Sequence, residues 1–210
     1  MVHNQYPPLF TLSQPLVLAS ASPRRQQFVR EWGLPYSIDL PQCPEPLPTQ
    51  GEAPAAYALR AACAKGRAVA TKHPHSIVLA ADTIVALGQS ILGKPHHAAE
   101  ALAMLERLAG KTHQVITAVC LSLPQKQGLP QEHAFTCTCD VTFAPWGRAV
   151  LAAYVRTGEP MDKAGAYAIQ GQGAFLISSI HGSWSTVVGL PVTEILQRLQ
   201  TAGLLQPASE

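Results

Sequence analysis

Residues 76–81, Ser-Ile-Val-Leu-Ala-Ala, leave a strand with no wet face. A strand with one side in water alternates apolar and polar residues. This run does not alternate, so it reads as a strand covered on both faces. Such a strand needs layers above and below it, and the flanking segments supply helices. Leu16–Ala19 is a second short apolar run, followed by a helix from Pro23 to Trp32 that Gly33 ends. Tyr36–Asp39 reads as a strand, and Ala-rich 55–72 as a long helix stopped at His73-Pro74. Thr83–Leu92 reads as strand, turn at Gly88-Gln89, strand. Further along come a helix over 98–108, strands over 113–123 and 132–143 joined by a turn around Gly128, and a helix over 145–157. Apolar Phe175–Ile180 and a last helix over 191–199 complete the pattern. Hairpins interrupt the strand–helix alternation, which predicts an α/β fold with a mixed sheet.

A chain of 210 residues can bury a good core as one domain or two joined lobes. Residues 15–205 read as that domain, with flexible ends at 1–14 and 206–210. A formal net charge of +2 is too small to hold nucleic acid or a membrane surface by field alone. A small polyanion needs only a few local cations. The five cysteines lack the spacing of a disulfide framework, which points to a reducing, cytoplasmic setting. Cys137 and Cys139 share one face of a strand and read as packing residues, with metal binding as the alternative. The first residues have no basic segment leading into an apolar one, and no apolar run reaches the ~18 residues of a membrane span.

Ser20-Ala21-Ser22-Pro23-Arg24-Arg25 joins the first strand to the first helix. Ser22 suits an N-cap and Pro23 the first helical position. Two arginines in that first turn oppose the helix dipole unless an anion sits there. Backbone N–H groups, the Ser20 and Ser22 hydroxyls and two guanidinium forks would then converge on phosphate. The alternative is a capped helix whose arginines face solvent or local carboxylates.

Asp82 follows the covered strand, where ligands of open α/β sheets collect. It can activate water or hold a divalent cation, or it can simply cap a turn. Lys94, between Gly93 and Pro95, is either a fixed point charge for phosphate or a turn lysine. In the segment 159–171, Gly165 and Gly171 permit positive φ, and Gln170 offers a donor and an acceptor to a base edge. That segment reads equally well as a surface loop. The eight histidines lack the helical ligand spacing of a metallohydrolase, and no nucleophile elbow is present.

Taken together, these segments resemble the Maf family of nucleoside triphosphate pyrophosphatases, over Leu16 to about Leu199. The motifs are Leu18–Arg25, Ala81-Asp82-Thr83, Gly93-Lys94-Pro95, Thr117-Ala118-Val119, Asp162–Tyr167 and Val188-Gly189-Leu190-Pro191. The resemblance implies an elongated mixed sheet flanked by helices, with two lobes around a deep cleft, as in ITPase-like proteins, and usually a homodimer. It implies cleavage of a nucleoside triphosphate to monophosphate and diphosphate with a divalent cation, Mg or Mn. Asp82 matches the proton acceptor. Ser20, Ser22, Arg24 and Arg25 match the phosphate loop, and Lys94 a phosphate-contacting lysine. Glu45, Lys65 and Lys163 match further polar cleft residues, with Glu45 the candidate metal ligand. Arg24, Thr83 and Gln170 match positions tied to substrate choice, in the form of the branch acting on dTTP and UTP.

Two departures stand out. Ala168 replaces a usual glycine, and Cys43-Pro44-Glu45-Pro46 retains one carboxylate of an acidic pair. The leading expectation is a pyrophosphatase clearing surplus or modified pyrimidine nucleotides, with a link to cell division arrest. The alternatives are specificity for 7-methyl-GTP, a non-catalytic nucleotide-binding regulator of septum formation, and a nucleotide transferase. A binder needs cations but no water-activating carboxylate, so Asp82 beside Arg24, Arg25 and Lys94 favours catalysis.

Overall fold

The covered run at 77–81 is the start of an eleven-residue strand at the centre of a seven-stranded mixed sheet. The computed structural model describes residues 8–126 and 129–208. The chain runs β1 (Phe10–Leu12), β2 (Leu16–Leu18), α1 (Pro23–Glu31), β3 (Tyr36–Ile38), α2 (Pro54–Ala70), β4 (Ile77–Leu87) and β5 (Ser90–Leu92). It continues as α3 (Ala98–Leu108), β6 (Thr112–Lys126), β7 (Leu129–Phe143), α4 (Arg148–Arg156), three 3₁₀ turns between 159 and 176, β8 (Ile177–His181), α5 (Trp184–Val188), α6 (Val192–Thr201) and β9 (Leu205–Pro207). The sheet order is β3-β2-β4-β6-β7-β8, with β5 also on β4. β3, β2 and β4 are parallel; β5 and the β4–β8 run are antiparallel.

Side chains of β4 alternate between two faces, and both are dry. Val78, Ala80 and Ile84 pack under the small face of α2, on Ala58 and Ala62. Alanine-rich α2 is a strong helix former and lets helix and sheet approach closely. The opposite face carries two clusters. Ile77, Leu79 and Ala81 pack with Phe28 of α1, with Trp32 just past its end, and with Ile195 and Leu199 of α6. Val85 packs with Leu105 and Leu108 of α3 and Leu151 and Tyr154 of α4. Thr83 falls between the two clusters, as does its cross-strand partner Thr117 on β6. These clusters are the cores of the two lobes, and the polar threonines mark their seam.

Two sequence expectations need correction. The break expected between Ala81 and Thr83 is absent, because β6 pairs with β4 without interruption from Val78 to Ala86. The expected loose ends meet: Phe10–Leu12 pairs antiparallel with Leu205–Pro207, and Phe10, Leu12 and Leu205 join the apolar cluster of α1 and α6. The short helix α5 was not read from the sequence. The expected turn at Gly128, residues 1–7 and residues 209–210 lie outside the described residues.

Candidate functional site

A gap in the pairing of β4 creates the site. On one edge β4 pairs with β2 at Ile77–Leu79 and with β5 at Val85–Leu87. Residues 80–84 lie between those pairings. Asp82 is therefore not past the end of its own strand, as the sequence suggests, but just past the end of β2. The rule that ligands gather at strand carboxyl ends still applies, through the shorter neighbour. The loop that leaves β2, residues 19–22, and the first turn of α1 border this gap.

A cleft of about 670 Å³ opens there, between the two lobes. Ser20, Ser22, Arg24, Arg25, Glu45, Lys65, Asp82, Thr83, Lys94 and Lys163 all line it. Of the catalytic, substrate-binding and metal residues expected from the sequence, Gln170 alone does not; Ala168 and Ile169 form the wall beside it. The chain turns at Gly171, where φ is +84°, and Glu159 captures the N–H groups of Gln172 and Gly173 at 3.0 and 2.8 Å.

Arg24 and Arg25 differ sharply. Arg25 donates to the carbonyls of Gly189 (2.9 Å) and Ala81 (2.8 Å) and to the hydroxyls of Ser20 (3.2 Å) and Thr83 (2.9 Å). Most of its N–H groups are held by the protein, so Arg25 ties the loop, β4 and the segment after α5 together and keeps one Nη2 N–H for a ligand in the cleft. Burial pulls its guanidinium below the ordinary value; Asp82 works the other way and Arg24 adds to the fall. Arg24 has no such bonds among the described residues. Ser22 caps by position but makes no side-chain cap bond, and no acidic residue sits in the first turn of α1. The helix start thus presents N–H groups and partial positive charge without a local anion.

Thr83 is likewise committed. Thr117 donates its hydroxyl proton to the carbonyl of Thr186 at 2.7 Å, so it must accept from Thr83 at 2.9 Å. The resulting chain runs from Arg25 to Thr83 to Thr117 to Thr186. With its proton spent, the Thr83 hydroxyl can offer a ligand only an acceptor lone pair. Thr117 is wholly buried. Its signal in the sequence is a lone polar residue in apolar company, Val115-Ile116-Thr117-Ala118-Val119, which calls for a buried partner.

Asp82 is 6% exposed, and its carboxylate meets Lys65 of α2 at 2.5 Å. Lys65 also reaches Glu45, at 3.3 Å. Burial acts to lower the Lys65 ammonium, but Asp82 and then Glu45 outweigh it, and the net shift is upward. Across the cleft, Lys163 pairs with Asp162. Lys94 is exposed. Gly165 sets that wall: its N–H bonds to the Gly93 carbonyl at 3.0 Å, its φ is +68°, and a Cβ there would stand 2.9 Å from Val85. No other residue fits so close to β4 in that conformation.

The arrangement can bind a chain of phosphates on a helix start and on cations that have no partner among the described residues, with a shielded carboxylate beside it to accept a proton. A family model described as "Maf-like protein" matches residues 15–202. The "dTTP/UTP pyrophosphatase" of Oleidesulfovibrio alaskensis is 54% identical over 200 residues, covering 95% of this chain and 90% of that protein. The "dTTP/UTP pyrophosphatase" of Nitratidesulfovibrio vulgaris is 52% identical over 196 residues, covering 93% and 91%. Among solved structures, the Staphylococcus aureus Ham1 protein aligns with a TM-score of 0.49 at 15% identity, over 90% of this chain and all of that one.

Proposed function

Because this chain belongs to the Maf family, we propose that its cleft hydrolyses dTTP and UTP to the nucleoside monophosphate and diphosphate. The observation that carries this reading is the Asp82 carboxylate, shielded and held by Lys65, in a cleft that Arg24, Lys94 and an uncapped helix start also line. The triphosphate lies along those cations. Asp82 accepts a proton from water as the water oxygen bonds to the α-phosphorus, the bond from that phosphorus to the oxygen bridging to the β-phosphate breaks, and its electron pair leaves with the diphosphate. Cations aligned on the phosphates neutralise that charge as it grows. A buried carboxylate beside a polyanion weakens binding, so its presence favours catalysis over a binding-only role.

A divalent cation fits this site. Glu45 and Asp82 already converge on one ammonium, and oxygen donors are what Mg²⁺ and Mn²⁺ take. These two carboxylates would hold the ion with the substrate phosphates, and it would supply further charge neutralisation. For base choice, Thr83 offers an acceptor to the ring N–H of uracil or thymine. Gln170, at the rim past Ile169, carries both a donor and an acceptor. A homodimer and a cytoplasmic location accompany this reading; among the described residues no helix is long and apolar enough to cross a membrane.

Product analysis tests the proposal. Incubation with dTTP should give dTMP and diphosphate in equal amounts. Release of dTDP and orthophosphate, or no turnover with either Mg²⁺ or Mn²⁺, contradicts it.

A further inference from the structure

A second cluster of ligand-type side chains lies under α2, away from the cleft. Cys63 of α2, Cys120 of β6 and Glu132 of β7 bring two sulfurs and a carboxylate oxygen within 4.8 Å of one another. Gly66 makes this approach possible: a Cβ there would stand 2.7 Å from the Cys120 sulfur. Arg67, one turn beyond Cys63, grips Glu132 with two hydrogen bonds of 2.7 and 2.8 Å. Each carboxylate oxygen keeps a lone pair. Oriented carboxylates of this kind typify the support behind metal ligands.

We infer that Cys63, Cys120 and Glu132 form a binding site for a soft divalent cation, zinc above all, with water as the remaining ligand. Two thiolates and a carboxylate carry three negative charges and Arg67 one positive charge, so a divalent ion leaves the site neutral. The sulfurs select against Mg²⁺ and Mn²⁺, which prefer the all-oxygen pair Glu45 and Asp82. Burial raises both thiols above their ordinary value, so the ion must displace their protons. Binding would tie α2, which also carries Lys65, to β6 and β7.

The test is a Co²⁺ titration of the reduced, metal-free full-length protein. The site predicts one ion per chain, a sulfur-to-cobalt charge-transfer band, and release of about two protons per ion. Zn²⁺ should erase the band and raise the unfolding temperature; excess Mg²⁺ should do neither. Cys63→Ala should abolish the band, Arg67→Gln should weaken binding roughly 10–100-fold, and Cys137→Ala should change nothing. Cys120 is wholly buried, so the decisive variants are Cys63→Ala and Glu132→Gln, each checked for cooperative unfolding. The inference is overturned by a wild-type protein without the band, or by an undiminished band in folded Cys63→Ala.

Discussion

Lys65 lies 2.5 Å from Asp82 and 3.3 Å from Glu45, so one ammonium bridges these two carboxylates of the cleft. Only Asp82 is shielded from water; the Glu45 side chain is 61% exposed. The proton-accepting role in the proposed reaction is therefore assigned to Asp82 and not to Glu45. Replacing it with asparagine keeps the shape and removes the base. Asp82→Asn should lower kcat by about 10²–10⁴-fold, while nucleotide binding persists, since one negative charge beside the triphosphate is gone. Calorimetric binding together with steady-state rates checks both halves. Near-wild-type turnover contradicts the assignment.

The two arginines should separate in experiment. Arg24 is unbonded among the described residues, so Arg24→Ala should fold normally and raise KM, lower kcat, or both. Loss of one partner of a desolvated charged contact costs about 2–5 kcal/mol. Arg25→Ala should instead destabilise the fold, because the carbonyls of Ala81 and Gly189 lose a donor. An unsatisfied buried polar group costs about 1–3 kcal/mol. Chemical denaturation and kinetics on both variants decide. Equal stability of the two would contradict the structural role given to Arg25.

Glu159 organises the rim beside Gln170. Its carboxylate accepts from the hydroxyl of Tyr154 at 2.7 Å and from the N–H groups of Gln172 and Gly173. Burial, and then Glu159, raise the Tyr154 phenol. Glu159→Gln places an amide against donors and loosens this loop. It should raise KM for dTTP and narrow the preference for dTTP over CTP, with a smaller change in kcat. Unchanged selectivity in the folded variant counts against a role for the rim in base choice.

His113 makes folding sensitive to acid. It is 2% exposed, edge-on to Phe143 and Tyr167, with Nε2 2.8 Å from the Tyr167 hydroxyl. Burial pushes it from 6.5 down to about 4. The unfolded chain therefore takes up a proton below pH 6.5 that the folded protein refuses until about pH 4. Stability should fall across that window as pH drops, by up to ~3 kcal/mol. His113→Phe should lose this component. Denaturation at pH 7 and about pH 4.5 checks it; the same stability gap between wild type and variant at both pH values contradicts it.

The covered strand at 77–81, the Ala-rich helix and the Pro-started α1 were legible because local composition determines them. The run of β4 through Asp82 was not, because only pairing with β6 extends it, and pairing is not local. The separation of Arg24 from Arg25 was hidden for the same reason: acceptors on Ala81, Thr83 and Gly189 come from distant parts of the chain. The pairing of β1 with β9 joins the two ends, whose polar and proline-rich residues alone suggested no partner.

Selectivity for the base tests the account most directly. Initial rates of diphosphate release would be measured on dTTP, UTP, CTP, GTP and 7-methyl-GTP with Mg²⁺ or Mn²⁺. On the proposed reading, an acceptor at Thr83, with Gln170 at the rim, should favour dTTP and UTP, because the wrong base leaves polar groups unpaired. A preference for 7-methyl-GTP, or equal rates on all five, would contradict it.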